Sequence, residues 1–404
     1  GLLISAPLHG SVKVTSQLEI GLPNGSSTST IQGSASSAHA AGIRRSKTSN
    51  KALRMEPRNN SYHIKKADLR AHMFKVGLGP SPMEGERFMP GLITMDDLTN
   101  EEIVSILDDA EKLLPVARGE LYLPLLQGRI LGNLFFEPST RTRMSFETAM
   151  KRLGGDVVNL GDVKTSSVVK GETLFDTIQM VDGYTDIIAM RHPRQGAAQY
   201  ACDSANVPIL NGGDGAGHHP TQTMLDLFTI RQAHGTLEGL NVVLAGDLRY
   251  GRTVHSLSHA LVRFGCNVTF ASPDSLMMPE EIVADLKAHG AEVVETDDLL
   301  GQINNADVIY MTRIQKERFP DEDEYAKVAG AYKLQASDLD GAKPDMIIMH
   351  PLPRVDEIHP SVDLTRHARY FEQAFNGVVA RMALMCWLLG VNVPDDVDKE
   401  GVKL

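Results

Sequence analysis

The sequence predicts an α/β fold of two doubly wound parallel sheets. Short apolar runs alternate with helix-period segments from about residue 86 onward. The runs fall into two series, the second opening at Asn241. Five of the runs lead directly into polar or cationic residues, as happens where parallel strands deliver their carboxyl ends to a ligand.

The elements follow in order. Ile130–Phe136 has the apolar run of a buried strand. The helix after it places Phe146, Ala149, Met150 and Leu153 on one face, and Gly154-Gly155 ends it. Ile187–Met190 and Val207–Leu210 are the next strands, and Pro220 suits the first turn of a further helix. Asn241–Ala245 opens the second series, with Val254, Leu257 and Leu261 along the following helix. Strands are expected at Asn267–Phe270, Asp307–Met311 and Met346–Met349.

With 404 residues the chain has room for two ordinary domains and a tail. A net charge of −11 argues against general nucleic-acid binding, although it allows a local basic pocket. Cys202, Cys266 and Cys386 lie too far apart for a C-x-x-C pair or a disulfide framework, and read as buried thiols of a reducing compartment. No apolar run approaches the length of a membrane span. Residues 1–85 differ from the rest. The first fifty carry one acid, Glu19, among many Ser, Gly and Ala, and Arg44, Arg45, Lys47, Lys51 and Arg54 form a basic cluster. The expectation is a disordered tail on a cytoplasmic protein. A Ser-rich, acid-poor, Arg-bearing segment also fits targeting to a plastid or other organelle, and a chain that begins at Gly1 leaves the natural start open.

Chemistry concentrates at the strand ends. Ser139-Thr140-Arg141-Thr142 lies between a strand and a helix, where open backbone N–H groups and the helix dipole favour a phosphate. Three hydroxyls and a guanidinium add suitable donors, although Ser and Thr here also fit an ordinary N-cap. Gly246–Thr253 nearly matches the nucleotide P-loop, but Arg252 replaces its lysine, and a planar guanidinium suits a carboxylate better. The adjacent His218-His219 pair lacks further ligands nearby for a metal. His350 reads as a packed, hydrogen-bonding residue. The Leu352-Pro353 bond is a candidate cis peptide that would turn carbonyls into a pocket.

Together these motifs identify a family. Phe136-Glu137-Pro138-Ser139-Thr140-Arg141-Thr142-Arg143 resembles the signature shared by aspartate and ornithine carbamoyltransferases, and His219-Pro220-Thr221-Gln222 resembles their second motif. Arg313-Ile314-Gln315 and His350-Pro351-Leu352-Pro353 are similar to the aspartate branch; the ornithine branch usually has Cys where Pro351 stands. The resemblance runs from about residue 88 to residue 392. It implies a carbamoyl-phosphate-binding domain over 86–222 plus 371–404 and an aspartate-binding domain over 223–370. It further implies a homotrimer with shared active sites, no metal and no cofactor, and leaves separate regulatory chains open. Nucleic acid and membrane are not expected partners.

The resemblance also implies roles for individual residues. Ser139, Thr140, Arg141 and Thr142 would bind the phosphate. Arg191 would bridge phosphate and carbonyl oxygen, and Thr142, Arg191 and His219 would stabilise charge developing on that oxygen. Gln222 and the carbonyls of Leu352 and Pro353 would orient the carbamoyl amine. Arg252 would hold the α-carboxylate of aspartate, and Arg313 with Gln315 its side-chain carboxylate. Ser166 and Lys170, by themselves residues of an ordinary surface loop, would enter a neighbour's site, where Lys170 also meets aspartate. Glu137 would pair with Arg252 and Arg318 as the domains close.

Overall fold

The computed structural model describes residues 91–160, 167–314 and 332–403, together with the backbone of two short upstream strands, Glu56–Arg58 and Ser61–His63. The chain divides into residues 1–68 and 69–404. In the first unit the two short strands pair antiparallel; the rest of the expected tail lies outside the described residues.

Two parallel five-stranded sheets build the second unit. The first contains β1 (Gly91–Leu92), β2 (Ile130–Phe135), β3 (Asp156–Asn159), β4 (Ile187–His192) and β5 (Ile209–Asp214), in the order β1-β5-β4-β2-β3. The second contains β6 (Asn241–Ala245), β7 (Asn267–Ala271), β8 (Val293–Thr296), β9 (Val308–Met311) and β10 (Ile347–Met349), in the order β8-β7-β6-β9-β10. After β2 the chain moves outward to β3 and then crosses back to β4. After β6 it moves outward to β7 and later returns to β9. Each sheet thus has one point where the winding reverses, and such reversals open a crevice at the carboxyl ends of the strands.

Helices cover these sheets for local reasons. In α1 (Asn100–Lys112), Thr99 and Glu102 form a reciprocal capping box, and Ile103, Ile106, Leu107 and Ala110 turn one face into the core. The other helices of 8 residues or more are α2 (Thr140–Arg152), α3 (Leu174–Asp182), α4 (Ala197–Ser204), α5 (Pro220–His234), α6 (Arg252–Arg263), α7 (Glu280–Ala288) and α8 (Tyr370–Leu388). The late helix α8 returns to pack against α1, α2 and α5. The domain boundary drawn at residue 222 falls within α5. All three cysteines are buried thiols outside any disulfide.

Two strands run further than their hydrophobic patterns predict. β4 continues through Arg191 and His192, and β5 through Asn211, Gly212, Gly213 and Asp214. The neighbouring strand supplies ladder bonds that local apolarity does not predict, and Asn211 is satisfied in the interior by the Ile93 carbonyl at 3.0 Å.

Candidate active site

The reversal points of the two sheets face one cavity of about 980 Å³. Glu137–Thr142, Arg191, His219 and Gln222 enter it from the first sheet and its helices. Arg252, Thr312, Arg313 and His350–Pro353 enter from the second, and Gln373 and Arg381 from α8. Among these described lining residues stand five arginines and one glutamate, a formal +4 in a chain of net −11. That concentration of positive charge suits a ligand with several negative charges.

Ser139 occupies the N-cap of α2 with extended backbone (φ −157°, ψ 101°), yet its side chain makes no capping bond. Among the described residues no partner is recorded for the hydroxyls of Ser139, Thr140 or Thr142, and the first backbone N–H groups of α2 open toward the cavity. The plain N-cap expectation for Ser139 is therefore corrected: its hydroxyl stays available to a ligand. Beside it, Arg141 donates through Nη2 to the Leu352 carbonyl at 2.7 Å. Burial, with Arg191 and Arg313 nearby, lowers the Arg141 pKa from its ordinary value.

His219, at the start of α5, is 4% exposed. Burial first, and then the charges of Arg191, Arg252 and Arg381, hold its pKa well below the ordinary histidine value, so the ring is neutral. Its Nδ1 lies 3.4 Å from Thr221 Oγ1, and that oxygen accepts from Arg381 Nη2 at 3.3 Å. With a guanidinium donating to it, the Thr221 hydroxyl is free to direct its own proton at Nδ1. When Thr221 donates to Nδ1, the ring proton sits on Nε2, the tautomer that can donate to a ligand oxygen.

Glu137 lies between two of the cations. Arg191 donates to its Oε1 through Nε at 2.5 Å, and Arg252 Nη2 stands 3.7 Å from the same oxygen. Arg252 crosses from the second sheet to bond the Gly215 carbonyl in the first. Its path depends on Gly213, where φ is +118° and a Cβ would come within 2.9 Å of the guanidinium. Arg318, the other expected partner of Glu137, lies outside the described residues.

The segment after β10 forms the rim. His350 Nε2 and Glu357 Oε1 are 2.6 Å apart in the interior, while Nδ1 accepts from the Leu352 N–H at 2.8 Å. Burial, opposed by Glu357, leaves the His350 pKa below its ordinary value. Since Nδ1 accepts, the ring proton belongs to Nε2 and goes to Glu357. His350 thus shapes the loop from beneath. Leu352 adopts φ 55°, and its bond to Pro353 is cis. The Leu352 carbonyl, expected to receive a carbamoyl amine, already accepts from Arg141, which leaves it one lone pair.

Several site residues escape the sequence reading. Arg381 is 2% exposed, lies 4.8 Å from the Phe146 ring centre and donates to the Gly377 carbonyl at 2.8 Å. Burial depresses its pKa to about 9. Asp226 is fully buried behind Gln222, and burial raises its pKa to about 7. The sequence does carry signals for both: Gln222 and Asp226 share a helix face four residues apart, and Arg381 is the one charged residue between Gln373 and Leu388.

Not every expected residue comes to the cavity. Lys170 is exposed at the end of a 3-10 turn, Ser167–Lys170, and is absent from the lining. Ser166 and Gln315 lie outside the described residues.

Two wound sheets whose reversal points share an arginine-lined cavity define a two-domain α/β enzyme that holds anionic substrates side by side. Comparison sharpens that class. Residues 91–232 match the carbamoyl-phosphate-binding domain, and residues 238–388 the Asp/Orn-binding domain, of aspartate/ornithine carbamoyltransferases, and the chain belongs to that family. It is 57% identical over 297 residues to an aspartate carbamoyltransferase catalytic subunit of Archaeoglobus fulgidus, covering 74% of this chain and 98% of the relative. Against the catalytic subunit of M. jannaschii aspartate transcarbamoylase the identity is 50%, with a TM-score of 0.71 over 75% of this chain and 99% of that one. The Trypanosoma cruzi aspartate transcarbamoylase, solved with carbamoyl phosphate and aspartate, is 42% identical, with a TM-score of 0.69 over 74% and 96% of the two chains.

Proposed function

We propose that this chain transfers the carbamoyl group of carbamoyl phosphate to the α-amine of L-aspartate, giving N-carbamoyl-L-aspartate and phosphate for pyrimidine synthesis. The observation that carries the reading is the meeting of five arginines and a neutral, buried histidine in one cavity of a chain of this family.

The amine attacks the carbonyl carbon and phosphate leaves; no covalent enzyme intermediate is required. Two polyanions must be held together, and the arginines offset their repulsion while fixing a near-attack geometry. Ser139, Thr140, Arg141 and Thr142 take the phosphate, with Arg191 bridging to the carbonyl oxygen. Thr142, Arg191 and the Nε2–H of His219 stabilise the negative oxygen of the tetrahedral intermediate. Gln222, Leu352 and Pro353 orient the carbamoyl amine. Arg252 holds the α-carboxylate of aspartate, and Arg313 with Gln315 the side-chain carboxylate. The leaving phosphate accepts the amine proton.

The carbamoyl-phosphate domain comprises 86–222 plus 371–404, and the aspartate domain 223–370. The working assembly is a trimer in which Ser166 and Lys170 complete a neighbour's site; the exposure of Lys170 away from its own cavity supports this. Mixing Ser166→Ala chains with Arg141→Ala chains should restore partial activity, whereas unshared sites would give none. Among the described residues no helix is long and apolar enough to cross a membrane. The compartment is the cytoplasm, with organelle targeting tested by imaging the full chain beside one lacking residues 1–85.

The decisive assay supplies carbamoyl phosphate with L-aspartate beside L-ornithine. Carbamoyl aspartate formed only from aspartate is the expected result. Activity with ornithine alone would overturn the assignment of Arg252, Arg313 and Gln315, and activity with neither would overturn the reaction.

A further inference from the structure

A carbamoyl group differs from an acetyl group in carrying an NH2 where acetyl carries a CH3. To prefer the former, a site must present acceptors at that position. Arginines and hydroxyls around the phosphate do not make this distinction, because both acyl phosphates offer the same oxygens. Gln222 can make it only with one end of its amide facing the cavity. With Oε1 inward it accepts from NH2; with Nε2 inward it presents a donor to a donor. The question is what fixes the amide.

The structure assigns that role to Asp226, a positioning residue that holds the Gln222 amide with its oxygen toward the ligand. Gln222 Nε2 donates to Asp226 Oδ1 at 3.0 Å. Above about pH 7 the Asp226 carboxylate is ionised and has no proton to give, so a glutamine bonded to it must offer its NH2, and Oε1 becomes the end available to the cavity that Gln222 lines. The carboxylate is itself held in place. Gln373 Nε2, on α8, donates to Oδ1 at 2.7 Å, and the Tyr310 hydroxyl, on β9, donates to Oδ2 at 3.0 Å. The other end of Gln373 is also engaged, since its Oε1 accepts the His350 N–H at 2.8 Å. Both amides in this set therefore have defined orientations.

This polarity extends around the pocket. Gln373 fixes Asp226, Asp226 fixes Gln222, and the loop that Gln373 anchors at His350 brings in the carbonyls of Leu352 and Pro353. Acceptors line the place where the amine would lie, and donors line the phosphate and carbonyl side. Asp226 also belongs to α5 while Tyr310 belongs to the second sheet, so the amide orientation depends on elements from both sheets.

The inference rests on the carbamoyl-phosphate reading above, and its test separates the two. Wild type, Asp226→Asn and Asp226→Leu chains are compared at mildly alkaline pH. Carbamoyl phosphate is the substrate, and acetyl phosphate is both a competing ligand and an alternative acyl donor. Asparagine can still accept from Gln222 through its oxygen while giving its NH2 to the Tyr310 oxygen. It should stay within about threefold of wild type. Leucine removes the acceptor and frees the amide. It should lose roughly 10- to 100-fold in kcat/KM for carbamoyl phosphate, the scale of one buried polar group left unmatched. The inhibition constant of acetyl phosphate should hardly move, so the preference between the two narrows by the same factor. Equal losses for both ligands in Asp226→Leu, or an unchanged preference, would overturn the inference by making Asp226 merely structural. If Asp226→Leu does not fold, Gln373→Leu withdraws one of the supports of Asp226 and should narrow the preference in the same direction; an unchanged preference there is equally contrary. Wild type unable to use carbamoyl phosphate would instead defeat the functional reading.

Discussion

The two walls of the cavity reach their positive charge by different means. On the first-sheet wall, a strand runs straight into a helix, so Ser139–Thr142 combine backbone N–H groups, hydroxyls and one guanidinium within a single turn. On the second-sheet wall the charge comes from long side chains, Arg252 at the first residue of α6 and Arg313 just past the end of β9. A helix start is prearranged by the fold and needs no further ordering to receive a phosphate. The guanidiniums of the second wall depend on what holds them: Arg252 bonds the Gly215 carbonyl and lies near Glu137 across the cleft. In the reaction proposed above, the first wall serves the reacting group, and the second selects and encloses the partner.

The sharpest way to break this distinction is Arg141→Ala. If the first wall serves the transition state, kcat should fall roughly a thousandfold, the scale of removing one prearranged donor from a developing charge. The folded state should survive, since Arg141 lies at an exposed helix start. A change confined to KM would make Arg141 a simple binder and remove the contrast. On the other wall, Arg313→Ala should raise the KM for aspartate by about 50-fold, a typical loss when one partner of a charged pair is truncated. Carbamoyl phosphate binding should change by less than about threefold, and equilibrium binding of each substrate separates the two effects. Glu137→Ala lies between the walls. Without the carboxylate, Arg191 and Arg252 repel across the cleft with nothing between them, and aspartate saturation should weaken by about tenfold. Equal weakening for both substrates would mean that Glu137 shapes the first wall alone.

The walls also differ in how far the sequence reveals them. Ser139–Thr142 is legible because strand, cap and helix signals are local, and Asn241–Ala245 is legible because its apolar run stands alone. The buried support behind the first wall is much harder to read. Gln373 meets Asp226 across 147 residues of chain, and Arg381 meets Thr221 across 160. Local patterning says nothing of such pairs, and a buried polar residue acquires meaning only from its partner. Continuation of β5 through Asn211, Gly212 and Gly213 was masked for a related reason. Those residues resemble a loop until the adjacent strand supplies the ladder.

The remaining prediction concerns stability and probes that hidden support. Asp226 titrates near its ordinary 3.8 when exposed, and in the fold burial raises it to about 7 against the opposing bonds from Gln373, Tyr310 and Gln222 and the charge of Arg381. Between those two values the folded protein binds a proton that the unfolded chain lacks. The contribution of Asp226 to stability is therefore fully present below about pH 3.8, declines as pH rises, and is lost once pH passes about 7. Asp226→Asn cannot ionise and has no such component. The melting temperature of wild type minus that of the variant should fall with rising pH across this window and level off above it. Its slope would then report a carboxyl whose burial outweighs its three donors. A difference that stays constant would mean that those donors hold Asp226 ionised throughout, at no cost that varies with pH. The first wall would then rest on a permanently charged support, and the contrast with the second would lie only in the helix start.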